Sequence, residues 1–199
     1  MKATVLFLSA TVLWSAGVHA QQPATPPVKG AMPALGRPTE STDTVPPFDF
    51  DVYFPGAWDF EWDVPMSPIG SDGSITGKTV YARAGDGAFT AESTAEGPDG
   101  KYTVRERFTF DKVAQTLVRQ VTDSRGFSYA SKATVKGDLG GIYYILFESE
   151  PFTVKGRTLR LRESLRTLSP FNYRVAVTLS VDGGPFTNFG NPWWNKQEQ

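Results

Sequence analysis

Few residues in this chain suit chemistry inside a fold, and they alternate with apolar neighbours. Glu106 stands within Tyr102-Thr103-Val104-Arg105-Glu106-Arg107-Phe108-Thr109-Phe110, and Glu163 within Leu159-Arg160-Leu161-Arg162-Glu163-Ser164-Leu165. A strand sends successive side chains to opposite faces. If Tyr102, Val104, Phe108 and Phe110 face an interior, Glu106 faces it too, while Arg105 and Arg107 face out. By the same parity Glu163 goes inward with Leu159, Leu161 and Leu165. Between these two segments, Leu117 and Val121 facing inward carry Arg119 with them. A lone buried carboxylate is costly and has its pKa raised by burial. An inward arginine offsets much of that cost through charge-assisted hydrogen bonds. With Tyr81, Tyr102 and Tyr129 nearby, Glu106, Glu163 and Arg119 have the makings of a polar anchor for an apolar ligand, because pockets commonly combine an apolar wall with a few fixed polar groups. The same residues also suit a structural ion pair, or a bulge that turns either glutamate to solvent. Paired carboxylates do acid–base work without histidine, which keeps an isomerase or hydrolase reading open with Glu106 or Glu163 as the acid or base.

What is missing narrows the chemistry further. The 199 residues contain no cysteine and one histidine, His19. Residues 1–20 have the pattern of an export signal: Lys2, an apolar run through Gly17, and Val18-His19-Ala20 with small residues at −3 and −1 of a cut before Gln21. The apolar run is shorter than the ~20 residues a spanning helix needs. Cleavage removes His19, and the mature chain then has no Ser-His-Asp or Cys-His catalysis and no His- or Cys-ligated zinc or haem. No cofactor is expected. Cleavage also removes Lys2, leaving 19 basic against 21 acidic residues. A nucleic-acid partner requires a basic surface and is not expected.

The elements that must position these residues are strands. Residues 21–47 are rich in Pro, Thr and Ala, and no helix or central strand forms across so many prolines. That stretch reads as an extended tether, and residues 48–199 as the folded domain. In Phe54-Pro55-Gly56-Ala57-Trp58-Asp59-Phe60-Glu61-Trp62-Asp63 three rings alternate with three acids, so one face is aromatic and the other acidic. Further short runs rich in Val, Ile, Thr, Tyr and Phe are separated by turns such as Gly85-Asp86-Gly87 and Gly97-Pro98-Asp99-Gly100. About nine or ten strands in simple succession predict an all-β, antiparallel up-and-down barrel, since closure is the simplest way to remove sheet edges. No long helix is expected. The expected ligand-facing set is Trp58, Phe60, Trp62, Tyr81, Phe89, Tyr102, Tyr129 and Tyr173 around Glu106, Arg119 and Glu163. With Glu106 and Glu163 on one face and arginines on the other, no surface suits lipid, which argues against an outer-membrane barrel.

Gly56-Ala57-Trp58 in a first strand, followed by an up-and-down run, resembles the calycin group of lipocalins and fatty-acid-binding proteins. The chain looks most like a secreted bacterial lipocalin-like family of unknown function, over about Phe54 to Asn188. The resemblance rests also on Gly77 before the second strand, Gly87-Ala88-Phe89 opening the third, and Phe110-Asp111 ending the fourth. It implies a ligand-holding barrel, with no particular ligand and no catalytic residue. Lipocalins usually set a late arginine against the first-strand tryptophan. Arg174 is the candidate here, with a parity opposite to Tyr173 and Val175.

These readings converge on an exported soluble protein, periplasmic or extracellular, that binds a small apolar or amphiphilic molecule inside a barrel. The alternatives are an envelope interaction module with a filled barrel and the carboxylate-dependent enzyme. Two features stay open. Arg160, Arg162 and Arg166 form an outward row that suits either an anionic partner or pairing with acids on neighbouring strands. Trp193-Trp194 suits a lid, a partner anchor or a plug for one barrel end.

Overall fold

The computed structural model describes residues 44–85 and 87–197; residues 1–20 and 21–43, which carry the export-signal reading and most of the proline-rich stretch, lie outside these, as does Asp86 of the glycine turn. The described chain is a short helix α1 (Phe50–Tyr53) followed by strands β1 (Gly56–Val64), β2 (Gly73–Gly85), β3 (Ala88–Gly97), β4 (Gly100–Asp111), β5 (Thr116–Asp123) and β6 (Phe127–Gly137). Then come β7 (Tyr143–Ser149), β8 (Phe152–Val154), β9 (Arg157–Ser169), β10 (Asn172–Val181), β11 (Thr187–Asn188) and β12 (Trp193–Lys196). Among the described residues no helix is long and apolar enough to cross a membrane.

The sheet closes on itself. All pairings are antiparallel, and β1 to β7 follow one another in order. β9 then pairs with β7 and β10, and β12 bridges β10 to β1, which makes a ring of ten strands. β8 and β11 lie beside β9 and β10 respectively, as the other halves of interrupted edges. The expected barrel is therefore present, and it is completed by a strand absent from the sequence reading. Trp193 and Trp194 are part of the wall, with Trp194 paired to Phe60 on one side and to Tyr173 on the other.

The alternation expected of the strands holds. Trp58 and Phe60 are buried and Trp62 half-buried, while Asp59, Glu61 and Asp63 are exposed. β10 buries Tyr173, Val175, Val177 and Leu179, and β5 buries Leu117, Arg119 and Val121. Gly77 has a local steric reason. It lies opposite Phe60, and a Cβ there would come within 2.6 Å of the Phe60 ring and 2.4 Å of the Thr94 carbonyl oxygen.

One end of the barrel is plugged by residues before β1. Phe48, Phe50 and Phe54 are all buried. Phe50 lies 4.4 Å from Phe54 and 4.3 Å from Phe89, centroid to centroid. Each fully buried aromatic contributes roughly 1.5–3 kcal/mol through burial. Asp49 caps α1 by accepting from the Asp51 amide, and the Tyr53 hydroxyl is shared between the carbonyl oxygens of Ser169 and Asn172 at 2.7 and 2.9 Å. These contacts tie the plug to the β9–β10 turn. The residues just before Phe54, at the start of the 48–199 stretch, thus pack as part of the barrel through a short helix that the sequence reading did not give.

The exposed arginine row is paired within the barrel. Arg160 and Arg162 both bond to Glu148 on β7, the latter at 3.1 Å, and Arg162 also lies 4.0 Å from the Phe186 ring centroid. Arg166 stands over Tyr144 at 5.5 Å.

Candidate ligand cavity

Inside the ring, between the plug and the opposite end, is a cavity of about 160 Å³. Phe50 and Phe54 bound it at the plug. Ile69, Arg125 and Phe189 bound it at the end where β1 leads into the loop after Val64. Nine of the expected ligand-facing residues line it: Phe60, Trp62, Tyr81, Tyr102, Glu106, Arg119, Tyr129, Glu163 and Tyr173. Trp58 and Phe89 do not. They point inward as expected, but into the packed aromatic layer at the plug. There Trp58 is fully buried and donates from Nε1 to the Phe54 carbonyl at 2.8 Å.

The cation beside Trp58 is not Arg174, whose parity already set it apart from Tyr173 and Val175. Arg174 is exposed on the outer face. Lys196 on β12 sits over the indole, with Nζ 5.1 Å from the ring centroid, and donates to the Tyr53 carbonyl at 2.8 Å. Burial lowers its pKa.

The polar centre of the cavity is Arg119. Its Nη2 donates to Glu163 Oε1 at 2.6 Å and its Nε to Ser131 Oγ at 3.0 Å. Its guanidinium carbon lies 4.2 Å from the Phe147 ring centroid and 5.9 Å from that of Tyr129. Burial works against this charge, but Glu163, with Tyr129 and Glu106, holds the guanidinium protonated above its ordinary value. The structural ion pair weighed from the sequence is therefore present between Arg119 and Glu163. Neither glutamate is turned to solvent by a bulge: both side chains are 15% exposed and line the cavity.

Glu106 is placed differently from Glu163. Its Oε2 is 3.5 Å from Arg119 Nη1, within reach of Coulomb attraction but not hydrogen-bonded, and the atom is buried without any hydrogen-bond partner. Its cross-strand neighbours are Ala91 and Val121, which have no side-chain donor. Burial raises the Glu106 pKa, Arg119 pulls it back in part, and Glu163 adds to the rise.

Tyr81 and Tyr173 complete the polar inventory near the plug. Their hydroxyls lie 2.9 Å apart, and burial raises both pKa values, so both stay neutral phenols. One of the two donates to the other, which leaves the second hydroxyl proton free for another acceptor. At the far end, Arg125 pairs with the buried Asp123 at 2.7 Å and stacks 3.8 Å from the Tyr102 ring centroid.

Three contributors went unnoticed in the sequence: Ser131, Phe147 and the Asp123–Arg125 pair. Parity could have found two of them. Ser131 follows Tyr129 by two positions on β6, and Asp123 follows Val121 by two on β5. Phe147 reaches Arg119 from β7, which is not a neighbour of β5 in the ring.

The fold is similar to that in the crystal structure of Rv2717c from M. tuberculosis. The TM-score is 0.61 at 12% identity, over 73% of this chain and 93% of that one. At this identity the likeness shows a shared barrel fold alone. No protein-family model matches the chain, and no curated protein matches it in sequence.

Proposed function

We propose that this protein is a binding barrel for one small apolar or amphiphilic molecule, held in the interior with its polar end toward Glu106 and Arg119. The observation that carries the reading is the space inside the barrel: about 160 Å³, walled mainly by aromatic and aliphatic side chains, with a buried carboxylate oxygen that accepts no hydrogen bond from the described residues. A barrel serving only as an interaction module has no need of this void, and unfilled volume in a core costs stability.

The volume limits the ligand. An apolar cavity near 150 Å³ takes a benzene-sized guest, whereas pockets for drug-sized molecules measure about 300–1,000 Å³. The ligand in this reading is a single ring or a short chain, well below a long-chain lipid. The calycin resemblance of Gly56-Ala57-Trp58 supports a ligand-holding barrel without adding a ligand. The export-signal pattern of residues 1–20 supports a site of action in the periplasm or outside the cell.

Mass spectrometry of molecules retained by the mature protein, purified from its own cells, tests the reading. It is expected to find a compact molecule of on the order of six to ten heavy atoms. A protein that retains nothing, and shows no saturable binding of fragment-sized compounds by NMR, overturns it.

A further inference from the structure

We infer that the molecule held in this cavity carries one positive charge, a protonated amine seated on Glu106 with its apolar body against the surrounding rings. The inference rests on the small-ligand reading above and adds the chemical class. It starts from an incomplete ion cluster. Two carboxylates, Glu106 and Glu163, share one guanidinium, and the guanidinium is committed: Nη2 to Glu163, Nε to Ser131, and one face to Phe147. Arg119 Nη1 stops 3.5 Å from Glu106 Oε2 in a geometry that makes no hydrogen bond.

Among the described residues no other donor bonds to this oxygen. On β3 and β5 the residues beside Glu106 are Ala91 and Val121. The titratable and charged groups facing the cavity from the other elements are Tyr81 on β2, Tyr129 on β6, Glu163 on β9 and Tyr173 on β10, with Arg119 and Asp123 on β5 and Arg125 in the turn after it. The hydroxyls of Tyr81 and Tyr173 pair with each other and neither bonds to Glu106 among the described residues, and Asp123 is taken by Arg125. In the ligand-free protein burial favours the protonated, neutral Glu106; when Glu106 ionises beside Glu163, the cluster is one positive charge short of neutral. An unpaired buried charge is strongly unfavourable, and a ligand cation removes that cost while making a charge-assisted bond.

The walls suit the same guest. Tyr81, Phe108, Tyr129, Phe147 and Tyr173 present rings to the cavity, and aromatic faces attract a desolvated cation. An anion of the same shape adds a negative charge that Arg119, already bonded to Glu163, does not compensate. A neutral alcohol can exchange one hydrogen bond with Glu106 but brings no charge to pair with its ionised form.

Calorimetric titration of the mature protein with benzylamine, benzyl alcohol and benzoate, which differ mainly in charge, decides the matter. The amine is expected to bind about tenfold or more tighter than the alcohol, as a charge-assisted bond implies, and the acid not measurably. Glu106→Gln is expected to abolish the amine preference while the alcohol still binds. Equal binding of amine and alcohol by the wild type, or an amine preference that survives E106Q, overturns the inference and leaves the small-ligand reading standing. No binding by any of the three overturns the inference, and the retained-ligand mass spectrometry and fragment binding above decide the small-ligand reading separately. If E106Q does not fold, the wild-type ratio alone decides.

Discussion

Glu106 Oε2 lies 3.5 Å from Arg119 Nη1 with no hydrogen bond between them, although both atoms are inside the barrel. The partner that Arg119 does bond is Glu163, 44 residues further along the chain. This asymmetry separates a settled ion pair from an unsettled carboxylate, and it gives the cavity a polar end with capacity to spare.

Removing the guanidinium exposes the cost of the cluster. Arg119→Leu leaves two buried carboxylates without a cation, and breaking a buried pair this way costs about 3–5 kcal/mol. Urea unfolding at neutral pH is expected to show this loss. Part of it returns in acid, where the glutamates are protonated.

The pH profile of stability reports Glu106 directly. Burial raises its carboxyl above the ordinary value of 4.5, and Glu163 adds to the rise against the pull of Arg119. A carboxyl with a raised folded pKa stabilises the fold in its protonated form; that contribution is complete below the unfolded value and is lost as pH rises through the folded one. Glu106→Gln keeps the shape and removes the titration. The ligand-free variant should therefore gain on the wild type as pH climbs above 4.5, read as the difference between two series of denaturant melts. A constant difference across that range contradicts a raised Glu106.

Gly77 tests the packing on which the cavity wall depends. A Cβ there meets the Phe60 ring at 2.6 Å and the Thr94 carbonyl at 2.4 Å. Gly77→Ala forces Phe60 or the backbone to move and is expected to destabilise by roughly 1–3 kcal/mol, the usual cost of overpacking. Thermal unfolding measures it.

The last strand is expected to be essential. Trp194 stacks on Tyr173 with centroids 5.0 Å apart and planes at 11°, and on Phe60 at 5.3 Å. A chain ending at Pro192 leaves β1 and β10 as open edges, which invite pairing between molecules. Size-exclusion chromatography should then show oligomers, and the near-ultraviolet circular dichroism of the buried rings should weaken.

Much of the barrel was legible because period-two alternation is a strong signal over nine or more residues. Trp58, Phe60 and Trp62 against Asp59, Glu61 and Asp63 established inside and outside for the first strand, and the same rule put Glu106, Arg119 and Glu163 on the inner face. The parts that escaped are short or non-local. β12 has four residues after Pro192, too few for a period and introduced by a residue that usually argues against a strand. The α1 plug has four residues as well and follows a run of prolines. Parity set Arg119 among the inward glutamates but not which of the two it bonds, nor that Phe147 packs on it, because Glu163 and Phe147 approach from strands that are not its neighbours. Trp58 and Phe89 show the matching limit: alternation separates inside from outside, and says nothing about whether an inward ring borders a cavity or a packed layer.

The central claim is a mainly apolar space inside a closed barrel, and a crystal of the protein pressurised with xenon tests it most directly. The account predicts ordered xenon among Phe60, Tyr81, Phe108 and Tyr173, displaced when a cavity-sized ligand is soaked in. Side chains meeting across the barrel with no xenon between them would contradict it.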